Sequence, residues 1–257
     1  MKTWWMAMAV VTVLVGCSTV PTSFTPTRPL PPAEFSHQVF AIVVQTHVRN
    51  GQVNYPVIQV DRRFTQYLDQ LDRVDPTSLS RQDRLAFWIN AYNAYAIKGI
   101  LDGFTPSTLV GRYRYFIGRE YPVGGTSVNL YGLERKILIA QFHEPRIHFA
   151  IVCASTSCPK LQPWTYGGAE LNGQLDHAAR EFINDPTRNH FDREKKIAFL
   201  SKIFEWFAED FTAQAGSLSR YVAQYVADPD LARDLTSTPY RVEFLDYDWS
   251  LNGTPPK

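Results

Sequence analysis

One segment of this chain must lie inside the folded protein, and it limits what the rest can form. Residues 84–101, RLAFWINAYNAYAIKGIL, carry apolar side chains on nearly every side of a helix. A helix that is apolar all round is a buried helix, because a surface helix needs only one apolar stripe. Ser80 and Asp83 have the spacing of a capping box just before it. We therefore predict a central buried helix from Arg84 to Leu101, covered by other elements.

The sequence around this helix alternates between helical and strand-like patterns. Amphipathic spacing predicts helices over residues 33–49, 62–71, 131–142, 171–183, 200–211 and 217–226. Short runs rich in branched and aromatic residues predict strands over residues 113–117, 120–123, 126–130, 147–153 and 240–244. This order favours an α+β fold, with the buried helix packed against a mixed or antiparallel sheet and further helices around it.

The N-terminus has the features of a bacterial lipoprotein leader. Lys2 gives a positive start, and an apolar run from Trp4 to Val15 is too short to span a bilayer. The run ends in LVGC, the pattern of a lipobox, which places lipid on Cys17. We expect residues 1–16 to be a signal peptide, and Ser18 after the cysteine favours the outer membrane over the inner one. The expected partner is thus a membrane, reached through lipid on Cys17, with the protein facing the periplasm.

Composition separates a spacer from a globular part. Residues 18–32, STVPTSFTPTRPLPP, hold five prolines and four threonines, which favour extended chain. We expect residues 17–32 to tether one globular domain, residues 33–257. The chain is 45% hydrophobic and 14% aromatic, as expected of a compact domain. Loss of Lys2 would take the formal net charge from +1 to zero, which argues against a nucleic-acid partner. No motif indicates a cofactor.

Two asparagines interrupt the buried helix. Asn90 and Asn93 lie three residues apart and so on one side of it. A buried amide needs hydrogen-bond partners. They can hold loop backbone in place, or they can orient a substrate or a catalytic side chain.

A second group lies in HFAIVCASTSCPKL, residues 148–161. A predicted strand leads here into a loop of small polar residues between Cys153 and Cys158. The pair can form a disulfide, which an oxidising compartment favours. Cys153 can instead be a thiolate nucleophile with a histidine base. His148 would lie on the opposite face of a regular strand, which favours another base. Metal binding is disfavoured because the usual ligand spacing is absent.

Five ordered motifs resemble those of domain of unknown function family 547. They are LAFWINAYNAYAI (85–97), NLYGLERKIL (129–138), PRIHFAIVCASTSCPKL (145–161), LSKIFEWFAEDF (200–211) and YDWSLN (247–252). The resemblance runs from about Gly51 to Asn252. It implies a family that occurs in bacterial envelope proteins and in plant proteins. By motif it implies site residues at Trp88, Asn90, Tyr92, Asn93, Glu134, His148, Cys153, Ser155 and Pro159.

Two functional hypotheses follow. The first is a binding module for an envelope peptide, glycan or protein, with Trp88, Tyr92, Ser155 and Cys158 as binding residues. The second is a thiol-dependent hydrolase or acyl transferase. There Cys153 attacks, a histidine takes the proton, and Asn90, Asn93 and Glu134 assist. His148 is kept as a candidate, although strand geometry favours His143, His177, His190 or no histidine as the base for Cys153. A disulfide between Cys153 and Cys158 would favour binding, whereas a free thiol at Cys153 would favour catalysis.

Overall fold

The computed structural model describes residues 23–256. The predicted signal peptide and Cys17 lie outside these residues. The α-helices are α1 Gln38–His47, α2 Tyr55–Val60, α3 Arg62–Arg73, α4 Arg81–Leu101, α5 Leu109–Phe116, α6 Leu130–Gly132, α7 Ala140–Phe142, α8 Leu171–Ile183, α9 Lys202–Trp206, α10 Ala208–Ala215, α11 Leu218–Ala223 and α12 Pro229–Ser237. A π-helical segment, Leu133–Ile139, joins α6 to α7, and short 3-10 helices span Pro32–Glu34, Pro76–Ser78 and Pro145–Phe149.

The strands form three small sheets. They are β1 Val48–Arg49, β2 Gln52–Asn54, β3 Tyr121–Val123, β4 Thr126–Val128, β5 His190–Asp192, β6 Ile197–Leu200, β7 Arg241–Phe244 and β8 Gly253–Thr254. The first sheet has the order β1-β2-β8, the second is the hairpin β3-β4, and the third has the order β5-β6-β7. In the first and third sheets one pair is antiparallel and the other parallel. With about 52% helix and 12% strand, the predicted α+β class is confirmed.

Helix α4 is the centre of the larger core, as predicted. Every side chain from Leu85 to Ile97 is buried. The helix begins at Arg81, three residues before the predicted start, because Ser80 caps it: Ser80 Oγ accepts the Asp83 N–H at 3.2 Å and donates to Asp83 Oδ2 at 2.6 Å. It meets the β3-β4 hairpin through Tyr95, whose ring stacks on Tyr121 at 4.7 Å.

The predicted strand over residues 147–153 is wrong. Pro145–Phe149 is a 3-10 helix, and the chain then runs on without regular structure. Pro145 fits the first turn of such a helix, and the Glu144 side chain caps it by accepting the Arg146 N–H at 3.1 Å. The backbone pairing that a neighbouring strand would supply comes from the Asn93 side chain, which bonds Ala150 O and Val152 N.

Two other predicted elements differ in the structure. Residues 113–116 lie in α5 rather than in a strand, and Ile117 follows its last turn; the Thr108 side chain caps that helix by accepting the Gly111 N–H at 3.0 Å. The single helix predicted over residues 200–211 is two helices, α9 and α10, which meet at Phe207 with a non-helical φ of −123°.

A second hydrophobic core lies beside the first. It holds the buried faces of α8 to α12 together with the β5-β6-β7 sheet, and aromatic rings fill it, among them Phe149, Phe204, Phe211 and Tyr221. Phe149 directly precedes a segment, residues 150–161, that packs mainly against the first core. Residues 145–161 therefore run along the junction of the two cores.

The described part of the predicted tether lies against the domain. The Phe24 ring is 5.5 Å from that of Trp88, and the Leu30 N–H donates to Arg73 O at 2.8 Å. Gly125, with φ of 77°, allows close approach, since a Cβ there would lie 2.4 Å from Thr25 O. The stretch from Phe24 to Leu30 is therefore packed against the domain and is not a free spacer. Within residues 23–256 no helix has the length and apolar character needed to cross a bilayer.

Candidate functional site

A cleft of about 370 Å³ opens along the junction of the two cores. Its walls come from α4, α5, the π-helical segment, residues 148–159, the α9–α10 junction and residues 247–249. Most of the lining is apolar and aromatic. The charged or titratable side chains along it include Arg112, Glu134, Arg135 and His148.

The loop that forms one wall is anchored from two sides. Asn93 holds it from α4, with its Oδ1 2.8 Å from Val152 N and its Nδ2 3.0 Å from Ala150 O. From the C-terminal side, Asn252 N–H donates to Ala154 O at 3.1 Å. Between these anchors Ala154 adopts a left-handed backbone, φ 61°, a conformation that an alanine rarely takes. The loop is therefore held in one shape by residues distant in the sequence.

Cys153 and Cys158 form a disulfide in the wall of this cleft. Cys158 is buried, whereas Cys153 is partly exposed. The Tyr247 hydroxyl lies 3.2 Å from Cys158 Sγ and 3.3 Å from Cys153 Sγ, and Ser155 Oγ donates to it at 2.9 Å. A sulfur in a disulfide has no thiolate to attack a substrate, so this oxidised form lacks the nucleophile that the enzyme hypothesis needs.

Glu134 places a carboxyl group among apolar side chains of the cleft. It lies in the first turn of the π-helical segment, a geometry often found at functional sites. Its Oε2 accepts the Tyr92 hydroxyl at 3.2 Å, and Arg135 Nε lies 3.7 Å from Oε1. Burial raises the pKa of Glu134, and the nearby Arg135 only partly opposes this. The group therefore keeps its proton to a higher pH than an exposed glutamate and can then donate a hydrogen bond.

His148 pairs with Asp210, which is 62 residues away in the sequence. His148 Nε2 lies 2.7 Å from Asp210 Oδ2, and the ring packs on Phe207 at 3.9 Å between centroids. Burial lowers the pKa of His148 although Asp210 opposes the shift, and the bond to His148 lowers the pKa of Asp210. A neutral ring donates from Nε2 to the carboxylate, which leaves Nδ1 as an acceptor. That atom is buried and has no hydrogen-bond partner among residues 23–256.

Comparison with known families identifies the central part of the chain. Residues 76–183 match the model of the family described as Protein of unknown function, DUF547. The chain contains a DUF547 domain. No curated protein and no solved structure matches this chain. The matched stretch is shorter than the predicted resemblance from about Gly51 to Asn252.

The DUF547 match contains all the sequence-predicted site residues except Cys17, and the structure divides them into two groups. Tyr92, Glu134, His148, Cys153 and Cys158 line the cleft. Ser155 and Asn93 support its wall through the hydrogen bonds described above. His148 and Cys153 were expected on opposite faces of a strand, but without that strand both reach the cleft.

Trp88 and Asn90 lie away from this cleft. Trp88 is 2% exposed and packs against the rings of Phe24 and Phe87. Asn90 bonds the backbone of Tyr166 twice, at 2.8 Å to its carbonyl and at 2.9 Å from its N–H. Their positions fit a structural role, in which they fix α4 within the DUF547 domain.

The rim of the cleft carries residues that were not among the predicted site residues. Tyr113, Ile117, Tyr131 and Trp206 line it, with exposed fractions between 37% and 62%. Trp206 lies in the predicted motif of residues 200–211 but beyond the DUF547 match. Its exposure had no signal in the sequence, because apolar spacing predicted a buried face there.

A group of metal ligands is not found in the described part of the chain: it holds no cluster of three or more histidine, cysteine, aspartate or glutamate side chains able to bind an ion.

Proposed function

We propose that this protein is a membrane-anchored binding module of the bacterial cell envelope, whose cleft holds a short apolar peptide segment of an envelope protein. The observation that carries the proposal is the concentration of exposed apolar surface. Half of the eight large hydrophobic side chains exposed in the described residues line this one cleft. Two more, Leu109 and Val110, lie on α5, the helix that carries Tyr113. Exposed apolar surface gathered at one place is typical of an interaction site.

The chemistry of the lining favours a peptide over a glycan. Sugar hydroxyls need many hydrogen-bond partners when they leave water. The cleft instead offers mostly rings and aliphatic groups, with isolated polar atoms on Tyr92, Glu134, His148 and Tyr247 and the guanidinium groups of Arg112 and Arg135. An extended peptide matches this pattern, because its side chains fill apolar space while its few amides reach isolated donors and acceptors.

The envelope location rests on the leader. The apolar run, the LVGC pattern and the proline-rich stretch support a chain that is exported and anchored at Cys17. An oxidising envelope would also favour the disulfide between Cys153 and Cys158.

A thiol-dependent hydrolase or acyl transferase is the competing proposal. His148 and Cys153 do line one cleft, which supports it. It requires reduction of the disulfide before Cys153 can attack, and the binding module requires no such step. We therefore favour binding.

The test is peptide binding by the full-length lipidated protein in lipid nanodiscs. Trp206 is 39% exposed and its ring lies 4.7 Å from that of Tyr247, so its fluorescence reports on the cleft. We expect an N-acetylated tetrapeptide with adjacent leucine and phenylalanine to bind, and a serine-rich tetrapeptide not to bind. Trp206→Ala should weaken binding about tenfold or more, measured by calorimetry, because exposed aromatic anchors dominate such interfaces.

Val60→Ala is the matched control, since Val60 is 79% exposed but lies outside the cleft. It should leave the affinity unchanged. Equal binding of both peptides, or none of either, would contradict the proposal. Mass spectrometry of the recovered peptide separates the two functions: an intact peptide supports binding, and a cleaved or acyl-modified peptide supports the enzyme.

A further inference from the structure

The cleft is lined by more positively charged side chains than negatively charged ones. Arg112 and Arg135 both line it, and Glu134 is the one carboxylate among its lining residues in the described chain. Arg135 lies 3.7 Å from Glu134 and stacks on Phe207 at 4.3 Å. Arg112 has no salt bridge and no side-chain hydrogen bond within residues 23–256. One guanidinium is therefore available to a ligand.

The position of Arg112 leaves the N–H groups of its guanidinium edge suited to bind a planar anion. The guanidinium lies over the Trp249 ring, 4.6 Å from its centroid. This contact occupies the flat face, and the N–H groups around the edge are left for hydrogen bonding. The Nε atom is buried without a partner among the described residues. A buried donor without a partner costs free energy, and a carboxylate can accept two parallel bonds from the guanidinium edge.

We infer that the cleft recognises the free C-terminal carboxylate of its peptide, held by Arg112. This inference rests on the proposed peptide-binding function and names the part of the peptide that is bound. It requires the last residues of the ligand to be apolar, because the side chains next to Arg112 in the cleft wall are Tyr113, Phe116 and Trp249.

The remaining polar atoms agree with a peptide terminus rather than a fatty acid. A carboxylate on a hydrocarbon chain would satisfy Arg112 but would leave the buried Nδ1 of His148 without a donor. A peptide supplies N–H groups for such an acceptor and carbonyl groups for a protonated Glu134. Because burial raises the pKa of Glu134, its repulsion of an incoming carboxylate is reduced.

The experiment compares two forms of one peptide on the full-length protein in nanodiscs. The N-acetylated tetrapeptide ends in leucine and phenylalanine, either as the free acid or as the C-terminal amide. We expect the acid to bind about tenfold or more tightly than the amide, because a charged hydrogen-bond pair is lost in the amide. Arg112→Gln should abolish that difference, and Arg112→Lys should retain part of it, since lysine keeps the charge but not the planar fork.

Arg114→Gln is the matched control, because Arg114 lies on the same helix but outside the cleft lining. It should preserve the preference for the acid. Equal affinity of acid and amide for the native protein would overturn the inference and leave the proposed function standing. No binding of either form would overturn both. Dodecanoate serves as competitor: if it binds and neither peptide does, the ligand is a lipid acid and the peptide proposal fails. The acid–amide comparison on the native protein tests the inference even if Arg112→Gln does not fold.

Discussion

At the residue scale, Glu134 shows how the cleft couples stability to pH. Its folded-state pKa is raised by burial, so folding favours the protonated form. The stability that this group contributes is complete below its unfolded pKa and is lost as pH rises through the folded pKa. Glu134→Gln cannot ionise, so the variant should gain stability relative to the native protein at pH 8 and not at pH 4. Urea unfolding at both pH values measures this difference.

Glu120→Gln is the control, since the Glu120 side chain is exposed to solvent. Its effect should be the same at both pH values. A constant offset for Glu134→Gln across the pH range would show that the buried carboxyl is not held against ionisation.

Single residues were predictable where they contrast with their neighbours. Asn93 in an apolar helix, and two cysteines around a small polar loop, are visible in the sequence and do form the cleft wall. Asp210 and Arg112 were missed because nothing local distinguishes them from surface charges. Asp210 acquires its role from His148, 62 residues away, and Arg112 from the Trp249 ring beneath it.

At the element scale, Asn93 acts in place of a neighbouring strand. Its side chain pairs with Val152 N and Ala150 O, both in a buried stretch. Asn93→Ala leaves one backbone donor and one acceptor unpaired and should cost about 3 kcal/mol of unfolding free energy. Urea unfolding measures the loss, and calorimetry should show weaker peptide binding, because the cleft loop loses one of its two anchors.

Asn54→Ala gives the comparison, since Asn54 is exposed and its side chain makes no hydrogen bond within the described residues. Asn54→Ala should reduce the unfolding free energy only slightly. If Asn93→Ala costs no more than Asn54→Ala, the loop is held by its other contacts alone.

Elements were predicted well where they are long enough to show a helical period, and poorly where only a short run carries the signal. Helices α3, α4 and α8 follow their periodicity closely. The strand predicted over residues 147–153 was wrong because a short apolar run indicates burial and not the backbone conformation. The two-residue strand β8 leaves no sequence pattern, since its pairing depends on Val53 meeting Gly253 across two hundred residues.

At the scale of the whole molecule, the C-terminal segment closes the site. Residues 248–252 bond the cysteine loop, with Thr156 N–H donating to Ser250 O at 2.8 Å, while Asn252 Oδ1 accepts the Tyr55 hydroxyl at 2.6 Å. The DUF547 match ends at residue 183, so the segments that bring Trp206, Asp210 and Tyr247 to the cleft lie beyond it. Sequence motifs indicated that these segments belong together, but their relative positions depend on long-range packing that no local pattern encodes.

We propose that the location of the whole molecule depends on Cys17, near the opposite end of the chain. Lipid on Cys17 would hold the domain at a membrane, because each buried methylene contributes about 0.8 kcal/mol. Cells fed an azide-bearing palmitate analogue should label the native protein, and Cys17→Ser should abolish the label. The double variant Cys153→Ser, Cys158→Ser is the control and should keep it, since that pair faces the cleft. Loss of the label in the double variant, or absence of the label from the native protein, would contradict lipid anchoring at Cys17. The peptide proposal would then need a ligand from outside the envelope.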